Sequence, residues 1–169
     1  VIVSVKNEAQ NLPSCLDKLK RFSQLIVVDS GSTDDTIIIA KAMGAEVLQF
    51  QWNGKFPKKR NWALQNANLL NEWILFLHAD EFVTDEFVNE IEHKIQDPIY
   101  NGFTIRFENY FMGRKLKYGY GFQKSALFKK SKGAYEKIEE DLWSHLDMEV
   151  HEHPIIEGKV GIIKAKVVH

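Results

Sequence analysis

The chain has 169 residues, 44% of them hydrophobic and 12% aromatic, the profile of one globular domain and not of a disordered or fibrous chain. Twenty-two basic residues face twenty-three acidic ones, a formal net charge of -1, so no global field recruits nucleic acid or an anionic membrane, and any bound anion must be met by local groups. The single cysteine, Cys15, excludes an internal disulfide and a multi-thiolate zinc site, and no apolar run reaches the roughly 18 residues of a membrane span.

The strand-like "VIVSV" comes first, then "NLPSCLDKLKRF", in which Leu12, Leu16, Leu19 and Phe22 recur at helical spacing. "LIVVDSGSTDDTIIIAKAMG" reads as a continuous apolar strand, a polar loop and a helix with cap-type Ser32, Thr33 and Asp34 near its start and a stop at Gly44. "AEVLQF" is a third strand, "KKRNWALQNA" a helix and "EWILFL" a fourth strand. Thr84, Asp85 and Glu86 open another helix, with Phe87, Val88, Ile91 and Ile95 on one face and Asp97-Pro98 ending it.

Apolar strands separated by helices predict a mostly parallel sheet covered on both faces. The second part differs. "GFTIRFEN", "ALFKK", "VHEHPII" and "KVGIIKAKVV" read as short antiparallel or edge strands, and "YFMGRKLKYGYGF" suggests a mobile or binding loop. The chain opens without methionine and stops at "KVVH", so further segments are expected beyond both ends.

In open α/β sheets ligands sit beyond the carboxyl ends of the strands. The residues there are Lys6-Asn7-Glu8, Asp29-Ser30-Gly31-Ser32 and His78-Ala79-Asp80-Glu81, and they are expected to meet in one cleft. His145, His151, His153 and His169 invite a zinc reading, but no cysteine assists, and His-x-His on a strand shares a face only where nothing bulges.

Taken in order, "VSVKNEAQNL", "VVDSGSTDDT", "KKRNWAL" and "LFLHADE" resemble the N-terminal half of inverting family 2 glycosyltransferases with the GT-A fold, over about the first hundred residues. "MEVHEHPIIEGKVG" is similar to the later part of bacterial members that glycosylate lipopolysaccharide core or surface polysaccharide. The resemblance implies a single GT-A domain with a mostly parallel sheet flanked by helices. Residues 1–100 would form the nucleotide-sugar-binding half, and 101–169 a smaller, partly antiparallel acceptor-side half, truncated at its C-terminus.

By the same resemblance the donor, a nucleotide-sugar of the UDP-hexose class, would be bound by Ser4, Asn7, Glu8, Asp29, Lys59, Arg60, His78, Ala79 and Asp80. A side-chain turn inside "DSGSTDD" is the competing use of Asp29, a helix-capping loop that of Asn7 and Glu8, and a solvated basic patch that of Lys55, Lys58 and Lys59. "HADE" stands where the family carries Asp-x-Asp: Asp80 matches the second acid and would hold Mn2+ or Mg2+, His169 would complete the metal site, and His78 departs from the first acid. Glu81 is expected to support the loop. An inverting transfer also needs a base to take the acceptor's proton, and Glu152 in "VHEH" is the first choice among Glu139, Glu140, Asp141, Asp147, Glu149 and Glu152. Trp143 lies beside that region. The implied acceptor is a bacterial glycan or glycolipid, and the implied location is the cytoplasm, with peripheral contact at the inner face of the plasma membrane through segments outside this sequence. The competing functions are a non-catalytic nucleotide- or glycan-binding domain and a sugar-1-phosphate nucleotidyltransferase; the latter needs a glycine-rich, arginine-bearing loop that "SVKNEAQNL" does not offer.

Overall fold

The apolar runs of the first half become strands β1 (Ile2–Val5), β2 (Ile26–Asp29), β3 (Glu46–Gln49) and β4 (Trp73–His78). They alternate with helices α1 (Leu12–Lys18), α2 (Thr36–Ala42) and α3 (Lys59–Asn66), and α4 (Asp85–Lys94) follows β4. The second half contributes β5 (Tyr100–Glu108), β6 (Tyr110–Phe111), β7 (Arg114–Lys115), β8 (Gln123–Lys129), β9 (Gly133–Tyr135), β10 (Pro154–Ile156) and β11 (Lys159–Val168). The computed structural model describes residues 1–108, 110–111, 114–115, 123–138, 146–148 and 152–169.

Seven strands form the central sheet in the order β11-β5-β8-β4-β1-β2-β3. All neighbours are parallel except β8, which runs antiparallel to both β4 and β5. A small antiparallel sheet, β9 with β10, lies in the C-terminal half, and β6 pairs antiparallel with β7. This is the mixed α/β architecture expected, with one difference. The alternating strands β5 and β11 join the main sheet parallel to each other, β5 inside it and β11 at its edge. Their alternation reports that one face is packed and the other wet, which parallel pairing at a sheet margin also permits.

Each strand sends alternate residues to two cores. On one face Val3, Val27, Leu75, Leu77, Phe103 and Ile105 pack with Leu12 and Leu16 of α1, Ala40 of α2 and Phe87, Val88 and Ile91 of α4. On the other, Ile2, Ile26, Val28, Ile74, Phe76 and Phe128 pack with Ala63 of α3 and Tyr135 of β9. Complete burial of one such Phe or Leu stabilises by about 1.5–3 kcal/mol. Close packing fixes the second layer as well, since a Cβ on Gly133 would run into the Phe128 ring.

Candidate functional site

The sheet opens at the carboxyl end of β4. β8 pairs with β4 only over Trp73, Ile74 and Leu75; beyond that point Ser125, Lys124 and Gln123 pair with β5 alone. A cavity of about 450 Å³ lies at this gap, in the size range of small-molecule sites. Ser4 and His78, which are register neighbours on β1 and β4, line it on one side, and Gln123, Lys124 and Ser125 line it on the other. Arg60, Tyr135, Met148 and Glu152 to Pro154 form its wall, with Asp80, Glu81 and His169 around them.

The turn after β4 is built from its own sequence. The Glu81 N–H donates to the His78 carbonyl at 3.1 Å, and the buried Glu81 carboxylate accepts the His78 N–H at 3.0 Å. That carboxylate also accepts from the Lys124 ammonium at 2.6 and 2.8 Å, so Glu81 supports the loop as its composition predicts. Phe82 and Val168 then exchange backbone hydrogen bonds of 2.8 and 2.9 Å, tying the turn to the end of β11. This brings Asp80 Oδ2 within 3.3 Å of His169 Nε2, both side chains about half exposed.

The charge state of the turn follows from its surroundings. Burial, and then the Lys124 and Arg60 cations, push His78 down to about 4 against the opposing acids Glu81 and Asp80. At neutral pH it is an uncharged imidazole able to donate one hydrogen bond and accept another. Behind the turn, Cys15 Sγ lies 3.9 and 3.8 Å from the His78 and Glu81 carbonyl oxygens. Burial, and then Glu81, Asp80 and Glu8, push this thiol up to about 12.

Among the described residues no group of three or more His, Cys, Asp or Glu side chains forms an all-protein metal cage. Asp80 and His169 offer two donors at an accessible rim, which fits a hard divalent ion that keeps waters and takes its remaining oxygens from substrate phosphates. The imidazole donor suits Mn2+ better than Mg2+.

Helix α3 opens with three consecutive cations, and none is a solvated patch residue: Lys58 and Lys59 are 3% and 4% exposed. The Lys58 ammonium donates to the Leu146 carbonyl at 2.8 Å and sits 4.4 Å over the Trp52 ring. Lys59 Nζ pairs with Asp147 Oδ2 at 2.9 Å, and its backbone N–H donates to the Asp147 carbonyl. Arg60 Nη1 pairs with the nearly buried Glu152 carboxylate at 3.3 Å and lies 5.0 Å from the Tyr135 ring centre. Asn61 exchanges hydrogen bonds of 2.8 and 3.0 Å with the backbone of Tyr135, which sets β9 against α3.

The residues singled out from sequence therefore divide. Ser4, Arg60, His78, Asp80, Glu152 and His169 line one cavity. Lys59 is engaged by Asp147 outside that lining, and Ala79 is buried in the opposite core. Asn7, Glu8 and Asp29 are not among the lining residues and belong to a knot of loops at the ends of β1 and β2. Asp29 is fully buried, and its carboxylate accepts from the Gly31 N–H at 2.9 Å and from the Ser32 N–H and hydroxyl. Asn7 takes a left-handed φ of 56° and its side-chain oxygen accepts the Thr33 N–H at 2.8 Å, while the Glu8 N–H donates to Thr36 Oγ1. Glu139, Glu140, Asp141, Trp143, His145, Glu149 and His151 lie outside the described residues. Sequence reasoning missed Gln123, Lys124, Ser125 and Tyr135, which line the cavity. Lys124 is one lysine of a strand that also carries Lys129, with Lys130 beside it, and no local signal separates it from them.

The family described as glycosyl transferase family 2 matches residues 1–145. Over 102 residues the chain is 38% identical to a TPR repeat-containing protein of Synechococcus elongatus, covering 60% of this chain and 25% of that protein. It is 37% identical over 92 residues to an uncharacterized glycosyltransferase of Rickettsia felis, covering 54% and 31%. The chain thus spans about a third or less of these relatives. The solved structure of S. aureus TarS 1-349 in complex with UDP-GlcNAc superposes with a TM-score of 0.55 at 26% identity, covering 69% of this chain and 36% of that one.

Proposed function

Since the chain belongs to glycosyl transferase family 2 and has its GT-A fold, we propose that it forms the catalytic domain of an inverting transferase that moves a hexose from a UDP-sugar to a hydroxyl of a glycan or glycolipid. The observation that carries this reading is the convergence of Asp80, His169, His78, Arg60 and Glu152 on one cavity beyond the carboxyl ends of the parallel strands. The UDP-sugar assignment is supported by TarS, which is seen with UDP-GlcNAc.

Asp80 and His169 would hold a divalent cation, Mn2+ or Mg2+, which when bound offsets the negative charge gathering on the departing diphosphate. His78, uncharged and flanked in register by Ser4, offers the donor a neutral hydrogen-bonding edge where an acid would repel phosphate oxygens. Glu152 takes the proton of the acceptor hydroxyl as that oxygen bonds to the anomeric carbon, and the sugar's bond to the diphosphate breaks on the opposite face. Arg60 holds the Glu152 carboxylate at the cavity wall. Asp147, one of the next candidates, pairs with Lys59 outside the cavity lining, whereas Glu152 is part of it.

The test is UDP release by the full-length protein with a panel of UDP-sugars, Mn2+ and a glycan extract. The expected result is turnover with at least one donor, reduced about 10²–10⁴-fold in kcat by Glu152→Gln and abolished by Asp80→Ala. A protein that binds no UDP-sugar, with or without Mn2+ and extract, overturns the assignment.

A further inference from the structure

We propose that Lys124 is a positioning residue for the metal-binding turn: paired with Glu81 across the gap between β4 and β8, it holds Asp80 opposite His169. The inference rests on the reading of Asp80 and His169 as the metal ligands and deepens it.

Backbone pairing between β4 and β8 stops at Leu75 and Leu127. The next three residues of β4, Phe76 to His78, and residues 123–125 of β8 face each other across the cavity. Lys124 reaches over this opening and binds both oxygens of Glu81, at 2.6 and 2.8 Å. Glu81 is thereby held by its neighbour strand on one side and by the His78 N–H on the other, and Asp80 is the residue between those two anchors. The Asp80 side chain itself is 51% exposed and has no such cage, so its direction is set by the turn that carries it.

Lys124 also reaches the second ligand. Its ammonium lies 5.0 Å over the Phe107 ring, and that ring packs edge-on against the His169 imidazole at 6.5 Å and 84°. One cation on β8 therefore supports Asp80 through Glu81 and His169 through Phe107. The Glu81 and Lys124 side chains are 4% and 20% exposed. An apolar pair of similar volume would bridge the gap with less desolvation; the charged pair instead holds both oxygens of a carboxylate that the His78 N–H also binds. Groups that orient metal ligands in this way change metal affinity by about 10–100-fold when removed.

The experiment is Mn2+ titration of the full-length protein followed by electron paramagnetic resonance, with and without UDP, alongside thermal melts. Lys124→Met is expected to raise the Kd for Mn2+ about 10–100-fold; Lys124→Arg, which keeps the charge, stays within about threefold of wild type. Glu81→Gln is expected to match Lys124→Met, and the double variant to be no weaker than either single change, because both remove one interaction. A folded Lys124→Met that binds Mn2+ like wild type, or a Lys124→Arg as impaired as Lys124→Met, overturns the inference. Should Lys124→Met not fold, the nearly isosteric Glu81→Gln decides in its place, and wild-type Mn2+ affinity there is the overturning result. Asp80→Asn separates the two levels. If it leaves Mn2+ binding intact, the metal reading falls and this inference with it, whereas a weakened Asp80→Asn beside an unaffected Lys124→Met removes only the role of Lys124.

Discussion

His78 is held neutral by burial and by the nearby Lys124 and Arg60 cations. The folded protein binds its proton more weakly than the unfolded chain, so the associated stability is complete above pH 6.5 and is lost as the pH falls from 6.5 towards about 4. The full loss amounts to up to about 3 kcal/mol, reduced by whatever water reaches the ring. His78→Asn is expected to remove this component. Urea melts of both proteins in metal-free buffer between pH 7.5 and 4.5, once their offset at neutral pH is subtracted, should diverge as the pH falls, because only the wild type loses this component; curves that stay superposed would overturn the assignment. Cys15, with its thiol pushed up to about 12 behind the same turn, supplies no nucleophile. It packs under the His78 and Glu81 carbonyls.

At the scale of elements, most of the fold was legible because the first half obeys simple periods. Leu12, Leu16 and Leu19 mark the buried stripe of α1, and Thr84 caps α4 by accepting the Phe87 N–H at 3.2 Å. The direction of β5 and β11 was not legible, since alternation records burial of one face and says nothing of which strand lies alongside. Nor could the sequence reveal how the edge at β11 is protected. The register of β11 against β5 shifts between Ile162 and Lys166, and there Glu90 of α4 accepts the Lys164 N–H at 3.0 Å and the Ala165 N–H at 2.8 Å. A carboxylate thus covers edge amides that would otherwise be open to another chain. Glu90→Ala should cost about 1–2 kcal/mol, in keeping with the loss of hydrogen bonds to a charged group at a partly exposed site. Hydrogen exchange should accelerate at Lys164 and Ala165 more than elsewhere in β11, and unchanged protection at those two amides would refute the capping role.

Across the whole molecule, the cavity joins the two halves of the chain, and this is where sequence reasoning was weakest. His78 and Asp80, which line the cavity, were legible because the parallel sheet dictates where loops converge, whereas Ser4 was named through the resemblance alone. Tyr135 and Lys124 could not be found, because their positions follow from pairings made across long sequence separations, Tyr135 with Asn61 and Lys124 with Glu81. The basic run of α3 shows the same limit: Lys59 was expected at the donor and Lys58 in a solvated patch, with no sign in the sequence that both are buried against residues 146 and 147. That grip ties the α3 side of the sheet to residues 146 and 147, next to Met148 of the cavity wall, and is expected to hold that part of the wall in place. Asp147 is partly exposed at 29% while Lys59 is 5% exposed, and the two members are therefore not equivalent. Asp147→Ala leaves a buried ammonium without its counter-charge and should cost about 3 kcal/mol, near the lower end for broken buried pairs. Lys59→Met strands only a carboxylate that water can reach and should cost less. The double change Lys59→Met with Asp147→Leu should recover much of the loss, because no unpaired charge remains. Urea denaturation of the four proteins checks this ordering, and an Asp147→Ala variant within about 0.5 kcal/mol of wild type, the range of ordinary surface changes, would mean that the pair does not hold the wall.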